Sequence, residues 1–309
     1  MTDEGDLKDY LGVRIERKGN KVVLTQPRMI QRILAMTGLP VNDTKAKVKT
    51  FDTPADSNKI LQRDSNGKPR QHAWNYRAVV GALSYLQSMS RPDLTYCTHQ
   101  AARFCNEQKL SHEEHVKRIV RYLWLTKDKG LEFEPDVSKG FECHVDADWA
   151  GNWHKDFSDD PSTALSRTGF VISYAGCPII WKSCMQGLVA LSTCESEYIA
   201  LSTALREVIA LMNLLKELKS HNIPVPFSTP KVKCRVFEDN AGCIELATNH
   251  KARPRTKHLS VRLHHFRDHV KRGDTVVERV STTMQVADIM TKPLARDPFR
   301  KLRKMLIGW

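Results

Sequence analysis

The sequence predicts a mixed α/β protein: a five-stranded sheet with flanking helices in the C-terminal half, preceded by a mostly helical region and an N-terminal β-hairpin. Three observations predict it. Residues 141–182 hold three short apolar runs separated by turn residues, as a strand meander requires. Over 201–215, Leu201, Leu205, Val208, Met212 and Leu215 recur at three- and four-residue steps, the spacing of a helix buried along one face. Two further apolar runs, 232–237 and 275–280, each precede a helix-like segment, so strand and helix alternate.

The elements follow in order. Residues 10–25 alternate apolar and polar around Gly19 and Asn20, with Val13 and Ile15 leading in and Val22 and Leu24 leading out, which predicts the hairpin. Ile30, Ile33 and Leu34 share one face of a short amphipathic helix with Gly38 as its C-cap. Residues 40–71, rich in Lys, Asp, Ser, Asn and Pro, read as a loop or linker. Helical periodicity over 74–89 stops at Arg91 and Pro92, and a second helix is expected over 93–105. Ser111 with Glu114 reads as a capping box for a third, whose stripe is Val116, Ile119, Val120 and Leu123. Strands are then expected at 141–146, 169–174, 178–182, 232–237 and 275–280, with a long helix whose first turns hold Glu197 and further helices near Asn240 and around Asp288.

Charge narrows the partners. The net charge is +13, and residues 251–309 carry 15 Lys and Arg against 5 Asp and Glu, so most of the excess lies there. A basic surface of that density attracts polyanions by steering and counterion release, which favours nucleic acid. No apolar run of the length that crosses a bilayer is seen, and the first six residues lack the basic and apolar regions of a signal peptide. The expected location is therefore intracellular, in cytoplasm or nucleus, without a membrane partner. The 8 cysteines form no Cys-x-x-Cys pair, which excludes a zinc cluster or disulfide framework and reads as buried thiols in a reducing compartment. His112 and His115, three apart, lack the matching thiols of a zinc site.

Four carboxylates carry the chemistry. Asp146 lies on the polar side of the first strand of the sheet, Glu197 in the first turns of the long helix, Asp239 at the end of the fourth strand and Asp288 near the opening turn of the last helix. Any one of them alone reads as a cap or a solvated charge. Together, each beside a strand end or a helix start, they point to one cluster whose mutual repulsion a divalent cation relieves. Asp148, Glu195, Glu238 and Asp268 are the rival carboxylates, and Asp148 is the strongest because it shares a strand face with Asp146. All-oxygen ligands select Mg²⁺, with Mn²⁺ as a substitute, and two such ions suit phosphodiester hydrolysis. No Gly-x-Ser-x-Gly elbow and no Cys with a clear His partner is present, so no nucleophilic side chain is expected.

The motifs around these carboxylates resemble the ribonuclease H domain of copia-type LTR retrotransposon polyproteins. They are Asp-Ala-Asp-Trp-Ala-Gly at 146–151, Ser-Arg-Thr-Gly-Phe-Val-Ile at 166–172, Ile-Ile-Trp-Lys-Ser at 179–183 and Glu-Ser-Glu-Tyr-Ile-Ala-Leu-Ser at 195–202. Glu-Asp-Asn at 238–240, Lys-His-Leu-Ser-Val-Arg at 257–262 and Ala-Asp-Ile-Met-Thr-Lys-Pro-Leu at 287–294 complete the order. Upstream, Tyr-Leu-Gly-Val at 10–13, Leu-Thr-Gln-Pro at 24–27, Tyr-Arg-Ala-Val-Val-Gly-Ala-Leu-Ser-Tyr-Leu at 76–86 and Ser-Arg-Pro-Asp-Leu at 90–94 resemble the end of the same family's reverse transcriptase and its connection.

The resemblance implies a ribonuclease H-like sheet and three regions: a palm or thumb remnant at 1–50, a helical thumb and connection at 51–138, and a ribonuclease H-like domain with a basic tail at 139–309. It implies endonucleolytic cleavage of RNA in an RNA/DNA hybrid. Asp146 would be shared by both Mg²⁺ ions, Glu197 and Asp239 would hold the leaving-group side, and Asp288 the ion that activates water. Ser196, Asn240 and Lys257 would contact nucleic acid, and other products of the same polyprotein are expected partners. The alternative is a non-catalytic, nucleic-acid-binding fragment of a truncated or decayed polyprotein. Two departures matter: the chain has no Tyr-x-Asp-Asp hairpin, so polymerase activity is not expected from it alone, and Phe157-Ser-Asp-Asp reads as a loop. Residues 281–287 also lack the His that many cellular ribonucleases H carry before their last Asp.

Overall fold

The hairpin forms where the sequence puts it. β1 (Asp9–Tyr10), β2 (Val13–Lys18) and β3 (Lys21–Thr25) pair antiparallel, and Gly19 takes the left-handed conformation, φ +60°, that the tight turn needs. α1 (Pro27–Met36) buries Ile30, Ile33 and Leu34, and α2 (Tyr76–Met89) starts at Asn75, whose Oδ1 accepts the Ala78 N–H at 3.0 Å. Arg91 and Pro92 end it. The helix expected over 93–105 is a single 3₁₀ turn, Pro92–Leu94, followed by α3 (Thr95–Ala102).

α4 (Leu110–Leu125) corrects the expected cap. Lys109 is the N-cap and its N–H donates to His112 Nδ1 at 2.8 Å, while the Ser111 hydroxyl donates to Asp64 at 2.6 Å. Both histidines of this helix bond backbone carbonyls: His112 Nε2 lies 2.9 Å from Gln62 O and His115 Nε2 2.9 Å from Cys97 O. β4 (Leu131–Phe133) then pairs with β3 to complete a four-stranded sheet. Its three residues are too few for a periodic signal, and their partner lies about a hundred residues away in sequence.

This computed structural model describes residues 7–41, 47–223, 225, 232–248 and 265–309. The chain divides into two units, Met1–Glu134 with Lys292–Trp309, and Pro135–Thr291.

The second unit is the mixed sheet. β5 (Phe141–Asp148), β6 (Arg167–Tyr174) and β7 (Cys177–Met185) form an antiparallel meander. α5 (Thr193–Ser220) crosses to β8 (Cys234–Glu238), which pairs parallel to β5; α6 (Ala241–Thr248) and α7 (Arg267–Lys271) precede β9 (Thr275–Arg279), parallel to β8. The sheet order β7-β6-β5-β8-β9 is the ribonuclease H-like arrangement that the resemblance implies. α5 buries Tyr198, Leu201, Leu205, Val208 and Met212 against Phe141, Cys143 and Val145. By length and composition α5 alone among the described helices could cross a membrane, contrary to the expectation of no such run, but half of its apolar window is buried, as a core helix requires. The residues of Phe157-Ser-Asp-Asp are a 3₁₀ end and a turn, in which Asp160 Oδ1 accepts the Ser162 N–H at 2.9 Å.

Two short helices close the chain, α8 (Asp288–Thr291) and α9 (Arg296–Ile307). α9 departs from the expected boundaries, because residues 292–309 belong to the first unit and not to a domain spanning 139–309. Phe299 packs edge-on against Tyr122 at 5.8 Å, Arg303 donates to the Tyr122 hydroxyl at 3.1 Å, and Trp309 Nε1 donates to Gly130 O at 2.6 Å. Arg296 and Arg300 pair with Asp52 at 3.1 and 2.7 Å. Part of the C-terminal positive charge thus holds this helix in place. All eight cysteines are free thiols.

Candidate active site

Asp146 sits near the end of β5, where β5 runs on past its pairing with β8, and it is buried. Its register partner on β6 is Gly169, and that glycine is a requirement of close approach. A Cβ there would lie 2.5 Å from Thr291 Cγ2 and 2.7 Å from Met290 Cβ, so only glycine lets α8 lie across the strands. From α8 the Thr291 hydroxyl donates to Asp146 Oδ2, and it also lies 3.3 Å from Asp288 O.

Glu197 stands in the second turn of α5. That helix begins at Ser192, whose Oγ accepts the Glu195 N–H at 3.2 Å while the Glu195 carboxylate accepts the Leu191 N–H at 2.8 Å. Glu195 is therefore a capping residue, and Glu197 faces the sheet, 7% exposed. Gln186 fixes the approach: its Nε2 donates to Thr168 Oγ1 at 3.1 Å and to Ser196 O at 2.9 Å, tying the helix start to β6.

Asp239 follows the last residue of β8, and its Oδ2 accepts from Thr282 Oγ1 at 2.8 Å. Its neighbour Glu238 is wholly buried. Burial first, then the charges of Asp146 and Asp239, push the Glu238 carboxyl up to about 8, against the lowering effect of the Asn240 N–H that it accepts.

One carboxylate oxygen each from Asp146, Glu197 and Asp239 lie within 4.8 Å of one another. Three acidic oxygens and no thiol or imidazole make a donor set for Mg²⁺ or Mn²⁺, so the residues present fit such an ion. Asp288, 6% exposed, opens α8 and is not one of the three, but it stands one helical turn from the threonine that bonds Asp146. Asp148, the strongest rival, turns away over the following loop, where its carboxylate fills the space that a Cβ on Gly151 would occupy. Asp268 lies in α7, outside the cluster.

The expected nucleic-acid contacts fare less evenly. Ser196 is fully buried, with its hydroxyl donating to Thr193 O at 2.7 Å. Asn240 is half-buried and caps α6, its Oδ1 accepting the Cys243 N–H at 3.0 Å. Lys257 lies outside the described residues.

Sequence reasoning missed Thr291, Thr282, Gln186 and Gln285, which support the carboxylates. Gln285 and Thr291 stand three residues to either side of Asp288, and two polar residues in an otherwise apolar run were the available signal. His144 beside them stacks on Phe237 at 4.7 Å and burial pushes its imidazole down to about 4.

No family profile matches the chain. The chain is 30% identical over 300 residues to the Retrovirus-related Pol polyprotein from transposon RE1 of Arabidopsis thaliana, covering 97% of this chain and 19% of that protein. It is 32% identical over 317 residues to the Retrovirus-related Pol polyprotein from transposon TNT 1-94 of Nicotiana tabacum, covering 100% of this chain and 22% of that protein. It thus spans about a fifth of the length of these relatives. Among solved structures, the N-terminal ribonuclease H domain of Rv2228c from Mycobacterium tuberculosis aligns with 53% of this chain and 96% of its own, at 13% identity and a TM-score of 0.33.

Proposed function

Because the chain belongs to the Pol polyproteins of copia-type retrotransposons, we propose that its second unit is a ribonuclease H that hydrolyses RNA within RNA/DNA hybrids. The observation that carries this reading is the meeting of Asp146, Glu197 and Asp239, from β5, α5 and the end of β8, within 4.8 Å.

In this reading Asp146, Glu197, Asp239 and Asp288 hold two Mg²⁺ ions, or Mn²⁺ in their place. Bound there, such ions lower the pKa of a water and stabilise the departing oxygen of a phosphodiester. The protein's own groups hold the ligands still. Thr291 orients Asp146, Thr282 orients Asp239, and Gln186 fixes the turn of α5 that carries Glu197. Selection of RNA over DNA would rest on contacts to 2′-hydroxyls, with Asn240 at the rim as one candidate.

The test is a panel of substrates. Purified protein with Mg²⁺ or Mn²⁺ is expected to cut the RNA strand of a hybrid and to leave single-stranded RNA and duplex DNA intact. Binding of the hybrid without cleavage by either ion, in folded protein, would instead support a non-catalytic binding fragment. Reverse transcription is outside the proposal.

A further inference from the structure

Where β5 and β8 part, one side chain bridges them. Their pairing ends at His144 and Phe237, although β5 continues to Asp148 and β8 to Glu238. Parallel strands that separate leave backbone carbonyls without ladder partners, and buried carbonyls need donors. Gln285 supplies them. Its Nε2 donates to Val145 O at 2.8 Å and to Phe237 O at 3.2 Å, one carbonyl on each strand.

The same amide is held from its other side. His144 Nδ1 lies 3.1 Å from Gln285 Oε1, and the Ala287 N–H donates to that oxygen at 3.4 Å. The Gln285 carbonyl accepts the Asp288 N–H at 3.2 Å, and the residue is wholly buried. Val145 precedes Asp146, Phe237 stands two residues before Asp239, and the Asp288 N–H bonds Gln285 directly.

We propose that Gln285 is a positioning residue: its amide sets the separation of the two strand ends and thereby the spacing of Asp146, Asp239 and Asp288 at the candidate metal centre. The inference rests on the nuclease reading for the use of that centre. Other groups bonded to these carboxylates, Thr291 on Asp146 and Thr282 on Asp239, each steady one ligand, whereas Gln285 touches the backbone next to three. Its oxygen must face His144 and Ala287 and its nitrogen the two carbonyls, so a carboxylate or a thioether of similar length cannot replace it.

The experiment compares wild type with Gln285→Met and His144→Phe by Mn²⁺ titration and by hybrid cleavage, with thermal unfolding as the check on folding. For Gln285→Met the expected result is about tenfold weaker Mn²⁺ binding and about tenfold lower kcat, the range typical of groups that orient metal ligands, with KM for the hybrid little changed. His144→Phe keeps the ring against Phe237 and removes the donor to Oε1, so a smaller loss in the same direction is expected. A folded Gln285→Met with wild-type Mn²⁺ binding and kcat overturns the inference. If that variant does not fold, wild-type Mn²⁺ binding in His144→Phe overturns it alone. Wild type that binds Mn²⁺ but leaves the hybrid intact defeats the nuclease reading, and the Mn²⁺ ratio still decides the role of Gln285; wild type that binds no Mn²⁺ defeats both.

Discussion

Thr291 donates its hydroxyl hydrogen to Asp146 across 145 residues of sequence, joining the last short helix of the second unit to the strand that carries the candidate centre. The bond is buried, and Thr291 is fully enclosed. A charged acceptor and a dry setting make such a bond strong and its loss costly.

Thr291→Val keeps the shape and removes the donor. We expect a loss of about 2 kcal/mol in stability, in the range for a bond to a charged group, and roughly tenfold slower cleavage of a hybrid as Asp146 loses its orientation. Urea unfolding and single-turnover cleavage on the same preparation check both. Unchanged cleavage would show that Asp146 is oriented by other groups.

Gly169→Ala tests the close approach of α8 to the sheet. The added methyl would meet Thr291 Cγ2 at 2.5 Å and Met290 Cβ at 2.7 Å, and both belong to packed side chains. A cost of about 1–3 kcal/mol is expected from overpacking, with a parallel fall in cleavage as α8 is displaced. Denaturant midpoints measure the first. Wild-type stability would mean that α8 lies farther from β6.

Glu113 in the first unit gives a pH prediction. Its carboxylate has no exposed surface and meets Arg70 at 3.3 Å, His72 at 2.8 Å and Lys117 at 2.9 Å. Burial would raise its pKa, but the bonds from Lys117 and His72 prevail and lower it from 4.5 to about 2. A lowered folded pKa means stability that is present above 4.5 and lost as pH falls toward 2. Glu113→Gln is expected to cost about 3 kcal/mol at pH 7 and to flatten the acid limb of a stability profile. An unchanged acid limb in the variant would show that other carboxylates govern it.

Phe299→Ala tests the docking of α9 within the first unit. Phe299 is 4% exposed and lies edge-on to Tyr122, so its removal leaves a cavity worth about 3–5 kcal/mol. Chemical denaturation of the variant, followed by proteolysis to map the loosened segments, is expected to show destabilisation in residues of that unit. Loosening confined to 135–291 would contradict this packing.

The sequence made much of this legible through local patterns. The hairpin at Gly19, the long helix with its Leu201 to Leu215 stripe and the meander of the sheet were all readable, because period and turn residues are local properties. Four carboxylates, Asp146, Glu197, Asp239 and Asp288, were read as one cluster, and oxygens of the first three lie within 4.8 Å of one another. The capping of α4 was misread because His112 and Lys109 displaced the usual Ser and Glu, and Ser111 was claimed by Asp64 from the preceding loop. β4 and the return of residues 292–309 to the first unit depend on contacts across more than a hundred residues, which no window of sequence contains. The roles of Gln285 and Thr291 were hidden for the same reason: each is defined by carbonyls or carboxylates that only the fold brings near.

The central claim is that one carboxylate cluster turns over a hybrid, and the pair Asp146→Asn and Asp148→Asn tests it most directly. Cleavage of the labelled RNA strand of an RNA/DNA hybrid is measured for both variants and wild type in Mg²⁺, alongside hybrid binding. The account predicts cutting by wild type, cutting by Asp148→Asn at a reduced or equal rate, and loss of cutting with binding retained in Asp146→Asn. Cutting by Asp146→Asn at the wild-type rate, or no cutting by folded wild type, would contradict it.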